Sequence, residues 1–280
     1  MNIAYGTYGL PNLPMEQAVP RLAAMGYDSV ELCIGEGYPT APLSLTPDKR
    51  RRLRQVLDDH ELRPCALMML DPVMADGAGH GANLRTLGEA CMLAHDLGVA
   101  APAVVTATIG GRPDAWERER PTLVSRLAEW AAVAEREGCV VAIEPHVGGL
   151  VDRPERAAWA LAELASPALA LNLDVSHFDV QGYTTKYAVS LLAPLAVHAH
   201  VKDGRRADDG VHFLLPGAGD FDYVTYLGWM ERAGYDGPIT VEISRQVWSC
   251  ADYDPFAAAL FAYETLAGAF ERAGIARPRP

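Results

Sequence analysis

The sequence predicts a single (β/α)8 barrel, the α/β architecture known as the TIM barrel. Strand-like apolar runs alternate with amphipathic helix-like stretches eight times, and 280 residues is a usual length for one such barrel. No long linker or low-complexity segment divides the chain, so residues 1–280 are expected to form one domain, with 276–280 as a frayed tail. A doubly wound open sheet is the alternative, but the first strand is not followed by the GxGxxG turn that such sheets usually carry.

The predicted strands are short runs rich in β-branched residues, and a stretch with helical periodicity follows each one. The strands are expected at residues 3–8, 29–34, 63–70, 102–106, 139–144, 168–175, 196–201 and 239–243. The helices are expected near residues 15–25, 47–60, 82–97, 115–137, 154–165, 185–192, 222–233 and 255–272.

Several predicted helix ends carry capping signals. Thr46 offers an N-cap, and Pro47 follows it at the first helical position. Asp152 and Glu155 have the spacing of a capping box for the fifth helix. Four glycines follow helices at positions where a left-handed C-cap is expected: Gly26, Gly98, Gly138 and Gly234.

The net charge of −12 disfavours a nucleic-acid partner, because proteins that bind nucleic acid present a basic face to the phosphates. The one basic cluster, at residues 49–54, falls within the second predicted helix and is interpreted as a solvated helix face. No apolar run reaches the roughly 20 residues that span a bilayer, so no membrane association is expected.

The N-terminus and the cysteines indicate a cytoplasmic protein. The first ten residues have no basic segment followed by a long apolar block, so no signal peptide is predicted. The five cysteines are scattered, odd in number and without a CxxC pair, which favours reduced thiols over a disulfide framework or a cysteine metal site.

Four polar residues stand at the C-terminal ends of apolar strand-like runs. They are Glu144 in VVAIEPH, Asp174 in LALNLDVSH, His200 in VHAHVKD and Glu242 in ITVEIS. The C-terminal ends of barrel strands meet at one mouth, so three carboxylates and an imidazole are expected to converge there. Crowded carboxylates raise each other's pKa unless a cation neutralises them. The set therefore predicts a divalent metal site, and its mixed oxygen and nitrogen ligands suit Mn²⁺, Mg²⁺, Co²⁺ or Zn²⁺.

The chain resembles the sugar phosphate isomerase/epimerase family of xylose isomerase-like TIM barrels, which also includes endonuclease IV. The resemblance spans nearly the whole chain and depends on the blocks IEP, D-x-x-H, H-x-H-x-K-D, P-G-x-G and V-E. In the ketose 3-epimerases and inosose isomerases of this family these blocks supply the metal ligands. The resemblance therefore implies Glu144, Asp174, His200 and Glu242 as ligands, with Mn²⁺ as the first expectation.

The same resemblance implies proton transfer next to a carbonyl group of a sugar, keto-sugar or inosose. The metal would stabilise an enediolate, while Glu144 and Glu242 remove and return the proton. His177, Lys202 and His146 are expected to hydrogen-bond substrate oxygens. The substrate would be a small carbohydrate, and a homo-oligomer is compatible with the family, whose barrels often dimerise or tetramerise.

Loops at the predicted barrel mouth supply further candidates for substrate contact. Arg245 and Trp248 follow the eighth strand, where an aromatic ring can stack on a sugar face, although a subunit contact is the alternative for Trp248. Residues 204–219 form a long predicted loop, in which Arg205, Arg206 and His212 are either substrate contacts or solvated loop residues. Asp203 is expected to play a structural part, since it alternates away from the site.

Three other functions compete with an isomerase or epimerase. A lyase or dehydratase acting on inososes or 3-keto-glycosides begins with the same proton abstraction. An endonuclease IV-like phosphoesterase needs additional histidine ligands, and the third and fourth predicted strands end without histidine. A metal-free binding module is the remaining alternative, and the intact set of four ligands argues against it.

Overall fold

The computed structural model describes residues 1–277 and shows a closed barrel of eight parallel strands surrounded by helices. The barrel strands are β1 (Asn2–Gly6), β2 (Ser29–Cys33), β3 (Arg63–Met68), β4 (Ala103–Thr108), β5 (Cys139–Glu144), β6 (Leu169–Asp174), β7 (Ala196–Val201) and β10 (Pro238–Val241). Two further strands, β8 (Asp203–Ala207) and β9 (Gly210–Leu214), form an antiparallel hairpin outside the barrel. Around the barrel the strand order is β1-β10-β7-β6-β5-β4-β3-β2, which confirms the predicted (β/α)8 architecture.

Each barrel strand is followed by a long helix, close to the predicted ranges. These helices are α1 (Met15–Met25), α2 (Pro47–Asp59), α3 (Gly77–Leu97), α4 (Trp116–Glu137), α5 (Pro154–Leu164), α7 (Thr185–Leu192), α8 (Tyr223–Arg232) and α10 (Pro255–Ala273). Two single-turn helices, α6 (Ser176–Asp179) and α9 (Arg245–Trp248), lie in the loops after β6 and β10. Within residues 1–277, no helix is both long and apolar enough to cross a membrane.

The predicted caps are confirmed at most helix ends. The Thr46 side chain accepts a hydrogen bond from the Lys49 amide at the start of α2. The four expected C-cap glycines all adopt positive φ angles: Gly26, Gly98, Gly138 and Gly234. Glycine reaches this left-handed region without the steric cost that a Cβ atom brings.

The capping box expected from Asp152 and Glu155 is wrong. The N-cap of α5 is Arg153, so Asp152 lies one residue before the cap and cannot reach the amides of the first turn in the required way. Instead, Asp152 accepts a hydrogen bond of 2.7 Å from Arg156, and Glu155 accepts one from the Tyr187 hydroxyl.

Strand register places polar side chains at matching heights in the barrel. Asp174 on β6 pairs with His200 on β7, and His200 pairs in turn with Thr240 on β10. Side chains two residues apart share one face of a strand, so Glu242 stands one step above Thr240 on the same face. The register thus brings residues that are far apart in sequence to one end of the barrel.

The segment expected as a long loop, residues 204–219, is largely an ordered hairpin. Strands β8 and β9 pair in register from Asp203 with Leu214 to Ala207 with Gly210. The alternating pattern was weak because the outer end of the hairpin is exposed and mostly polar. Two hydrogen bonds tie the hairpin to α9: the Phe213 amide donates to Gln246 Oε1 over 2.7 Å, and Gln246 Nε2 donates to the Val211 carbonyl over 3.1 Å.

Asp203 fixes the turn that follows the hairpin, which is a structural role of the kind expected for it. Its Oδ2 atom accepts hydrogen bonds from the amides of Gly217 and Gly219, over 2.6 and 3.0 Å. A Cβ atom on Gly219 would lie 3.1 Å from the Asp203 Cβ, so the close approach favours glycine there.

The described part of the expected tail contacts the body of the barrel. Arg277 Nη1 lies 3.2 Å from Asp28 Oδ2 and 3.3 Å from the Gly26 carbonyl oxygen. Residues 278–280 of that expected tail lie outside the described range.

Candidate metal centre

Four side chains at the C-terminal mouth of the barrel could hold one metal ion. Glu144 ends β5, Asp174 ends β6, His200 lies near the end of β7, and Glu242 follows β10. One ligand atom from each of the four lies within 4.8 Å of the others. His200 Nδ1 is 3.0 Å from Glu144 Oε1 and 3.2 Å from Glu242 Oε2. The four residues predicted to converge are therefore close enough together to share a cation.

All four candidate ligands are buried. Asp174 and His200 are fully buried, whereas Glu144 and Glu242 keep 2% and 5% of their surface exposed. The exposed fraction belongs to the two glutamates that were predicted to transfer protons.

Lys202, predicted as a substrate contact, lies among the candidate ligands. Its Nζ atom donates to Asp174 Oδ2 and, over 2.6 Å, to Glu242 Oε2. Burial alone would lower the pKa of Lys202, but Asp174 and Glu242 outweigh it and raise the pKa above its usual value. The same ammonium group outweighs the effect of burial on Asp174 and holds the pKa of that carboxyl well below its usual value.

The combined charge of the candidate ligands suits a divalent cation. Three buried carboxylates from Glu144, Asp174 and Glu242 surround one lysine and one histidine. Buried charges are costly unless they are paired or bound to a metal. Carboxylate oxygens with one imidazole nitrogen are a common ligand combination for Mn²⁺, Co²⁺ and Zn²⁺, whereas Mg²⁺ prefers oxygen ligands.

His177 and His146 pack against each other beside the centre, and His177 is a close neighbour of Lys202. The centroids of the two imidazole rings are 3.6 Å apart, and His177 Nε2 lies 3.4 Å from Lys202 Nζ. His177 is fully buried and Phe213 of the hairpin packs against its ring, while His146 is half-buried. Burial and the neighbouring His146 lower the pKa of His177 well below its usual value, so the ring is neutral at pH 7.

Arg245 and Trp248, in the loop after β10, lie beside Tyr8. The Trp248 ring is 5.6 Å from the Tyr8 ring in an edge-to-face arrangement, and the Arg245 guanidinium lies 5.9 Å from the Trp248 ring centre. Burial, with a further contribution from Glu242, raises the pKa of Tyr8 to about 12. Tyr8 therefore belongs to the same wall, although its sequence context, GTYGL, carried no signal of a site.

Two polar residues of the hairpin have partners in the protein. Arg206 Nε donates to the Val180 carbonyl over 2.9 Å, and the half-buried His212 lies 2.7 Å from Asp209 Oδ1. Arg205 is exposed on β8. The contacts of Arg206 and His212 favour the interpretation that these are solvated loop residues.

A second buried cluster, below the first, escaped prediction. Glu31, His198 and His200 each offer a ligand atom within 4.8 Å of the others, so His200 belongs to both clusters. Glu31 lies in the middle of β2, where the only signal was one charged residue inside an apolar run. Burial would raise the pKa of Glu31, but His200 and His198 lower it to about 2.

Comparison with known proteins gives a family match over most of the chain. The sequence profile of the family described as "Xylose isomerase-like TIM barrel" matches residues 19–261. Among curated proteins, the chain is 27% identical over 294 aligned positions to YfiH of Bacillus subtilis strain 168, covering 87% of this chain and 92% of YfiH.

Solved structures share the fold at low sequence identity. The IolI protein, solved with a bound zinc atom, superposes with a TM-score of 0.81 at 20% identity, covering 98% of this chain and 99% of IolI. D-psicose 3-epimerase, solved in the presence of D-fructose, superposes with a TM-score of 0.77 at 13% identity, covering 98% of this chain and all of that one. Identities this low establish the shared barrel and leave the reaction to be argued from the residues.

Proposed function

We propose that this chain, which belongs to the xylose isomerase-like TIM barrel family, is a divalent-metal-dependent isomerase or epimerase of a small carbohydrate. The cation would be held by Glu144, Asp174, His200 and Glu242, with Mn²⁺ as the first candidate and Mg²⁺, Co²⁺ and Zn²⁺ as alternatives. The substrate would be a sugar, keto-sugar or inosose that carries a carbonyl group next to a C–H bond.

One observation carries the proposal: four potential ligand atoms, from four strand ends, lie within 4.8 Å of one another at the barrel mouth. Active sites of TIM-barrel enzymes lie at this end of the barrel. The bound zinc of IolI and the sugar chemistry of D-psicose 3-epimerase belong to those proteins, and they support the choice of reaction class for this one.

When bound, the cation would polarise the substrate carbonyl and stabilise the negative charge that develops on an enediolate. Glu144 and Glu242 then move the proton. Strands β6 and β7 separate β5 from β10 in the barrel, so the two glutamates reach the site from opposite sides. One carboxylate can remove the proton from one face of the substrate, and the other can return a proton to the opposite face or to the adjacent carbon.

Neighbouring side chains orient the substrate in this proposal. Lys202 donates a hydrogen bond to Glu242 and places its positive charge beside the developing oxyanion. His177 and His146 offer ring nitrogens to substrate hydroxyl groups, and His177 Nδ1 has no protein partner within the described residues. Trp248 and Tyr8 would supply an aromatic wall, and the Arg245 guanidinium lies beside the Trp248 ring.

Metal content and solvent isotope exchange test the proposal together. The purified protein is assayed for bound metal and then incubated in D₂O with Mn²⁺ and a panel of ketoses, inososes and 3-keto-glycosides. Deuterium at the carbon beside the carbonyl, with an isomer or epimer as product, is the expected result. Loss of a β-substituent after the same exchange would identify a lyase instead. A protein that neither binds a divalent cation nor catalyses exchange would contradict the proposal.

The matched control is a glutamate away from the mouth. Glu144→Gln should abolish exchange, whereas Glu163→Gln, on the exposed face of α5, should exchange at the wild-type rate. Equal loss in both variants would indicate a damaged fold and would remove support from Glu144.

A further inference from the structure

We propose that Glu31 is a positioning residue that acts through His200, directing the Nδ1 atom of the imidazole towards the metal. The inference rests on the proposed function, because it assumes that His200 is a metal ligand. Glu31 lies on β2, whereas the four candidate ligands come from the ends of β5, β6, β7 and β10. It has no role in the proton transfer proposed above.

The His200 ring lies between carboxylates on its two nitrogen sides. Its Nε2 atom is 2.8 Å from Glu31 Oε2, while its Nδ1 atom faces Glu144 Oε1 at 3.0 Å. A neutral imidazole carries one proton, and the nitrogen without it is the one that binds a metal. A carboxylate that accepts Nε2–H keeps the proton on that side and leaves the Nδ1 lone pair free for the cation.

Asn172 supports the same tautomer from the other side. Its Nδ2 atom lies 3.2 Å from His200 Nδ1, and an amide nitrogen is only a donor. A donor next to Nδ1 favours a lone pair on that nitrogen. Glu31 and Asn172 therefore favour the proton on Nε2, whereas the carboxylates of Glu144 and Glu242, which face Nδ1, are themselves candidate ligands of the cation.

Glu31 is itself held on several sides. Thr106 donates a hydrogen bond of 2.8 Å to Oε1, and His198 Nε2 lies 3.4 Å from the same oxygen. Gly6 leaves just enough room, since a Cβ atom there would lie 3.3 Å from Glu31 Oε2. Glu31 is fully buried, so the carboxylate that faces His200 is shielded from bulk solvent. A carboxylate fixed in this way fixes in turn the plane of the imidazole ring.

His198 packs beside His200 in this network without reaching the metal site. Its ring centre is 5.2 Å from that of His200, and its Nε2 atom lies 3.0 Å from Thr240 Oγ1. The contact that links Glu31 to the metal site therefore passes through His200.

The test compares two conservative variants in the intact protein. Glu31→Gln keeps the size of the side chain but replaces one acceptor oxygen with a donor. Thr240→Val is the control, because it removes one hydrogen bond at the same depth, to His198 and not to His200. Affinity for Mn²⁺ is measured by calorimetry without substrate, and the absorption spectrum of bound Co²⁺ reports the ligand geometry.

Glu31→Gln is expected to weaken Mn²⁺ binding by about 10–100-fold and to change the Co²⁺ spectrum, which is the usual effect of losing the outer partner of a metal-bound histidine. Thr240→Val should bind Mn²⁺ much as wild type does, because the hydrogen bond that it removes goes to His198 and not to His200. Equal affinities for Glu31→Gln and wild type would overturn the inference and leave the proposed function standing. A wild-type protein that binds no Mn²⁺ would instead contradict the proposed function itself.

A measurement on the wild-type protein keeps the inference testable if Glu31→Gln does not fold. Nitrogen NMR of histidine-labelled, Zn²⁺-loaded protein assigns the proton of the His200 ring. A proton on Nε2 with Nδ1 bound to zinc is expected. A proton on Nδ1, or zinc on Nε2, would show that Glu31 does not direct the ring in this way.

Discussion

Lys202 donates a hydrogen bond of 2.6 Å to Glu242 Oε2 and a second one to Asp174, so one ammonium group connects two of the four candidate ligands. All three side chains are buried. The positive charge of the lysine therefore stabilises the same carboxylates that are proposed to bind a divalent cation.

Replacing Lys202 by methionine should destabilise the metal-free protein more than the metal-loaded protein. Removal of one partner from a buried ion pair costs about 3–5 kcal/mol of unfolding free energy, because the other charge remains buried. A saturating divalent cation takes over the neutralisation and should recover much of that loss. Urea unfolding with and without Mn²⁺ measures both values, with the exposed Lys49→Met as control. An equal loss in both conditions would show that lysine and cation do not share the carboxylates.

Replacing His200 by alanine should reduce Mn²⁺ affinity by more than the roughly 10–100-fold expected from losing an outer partner of the ligand. The reason is that the variant lacks a ligand atom itself. Calorimetry measures the affinity, and His60→Ala is the control, since His60 is exposed and bonds within its own helix. Retention of wild-type affinity by the His200 variant would remove this histidine from the site.

Chelation should lower the thermal stability of the wild-type protein. A cation present at about 100 times its dissociation constant adds about 2.7 kcal/mol to the unfolding free energy. Differential scanning calorimetry before and after dialysis against a chelator measures the difference, and returning Mn²⁺ should restore the original melting temperature. In His200→Ala the same treatment should cause little change, which distinguishes binding at this site from binding elsewhere.

Replacing Asp203 by asparagine should loosen the turn after the hairpin. Hydrogen bonds to a charged acceptor contribute about 1.5–3 kcal/mol each, and Asp203 accepts two, from Gly217 and Gly219. Hydrogen exchange should therefore speed up at these two amides. Asp209→Asn, in the exposed hairpin turn, is the comparison and should leave their protection unchanged. Unchanged protection in the Asp203 variant would mean that the backbone alone holds the turn.

The barrel and its four candidate ligands were predictable because the same sequence pattern, an apolar strand followed by a helix, recurs along the chain. Each candidate ligand ends or follows an apolar run, and strand ends meet at one mouth whatever the details of packing. The structure brings Glu144, Asp174, His200 and Glu242 together as that pattern predicts. The roles of these residues in binding and proton transfer stay predictions until they are measured.

The residues that escaped prediction have no recognisable pattern in the sequence, because their partners become neighbours only in the folded barrel. Glu31 lies inside its apolar run, so its partner on β7 is visible only when the closed barrel brings the two strands to a common interior. Tyr8 follows β1 in a tight turn, and its neighbour Trp248 comes from the far end of the chain. The hairpin was missed because alternation is weak where most of a ribbon is exposed.

The contact between Glu31 and His200 has a consequence for how the chain folds. The two residues are 169 positions apart, and they meet only after β1 and β10 have joined the two ends of the barrel. Local helices and neighbouring strands can form earlier, because contacts between distant residues must first overcome the entropy of closing long loops. High-affinity metal binding should thus appear late in refolding. The rate at which it appears would measure the rate at which the barrel closes.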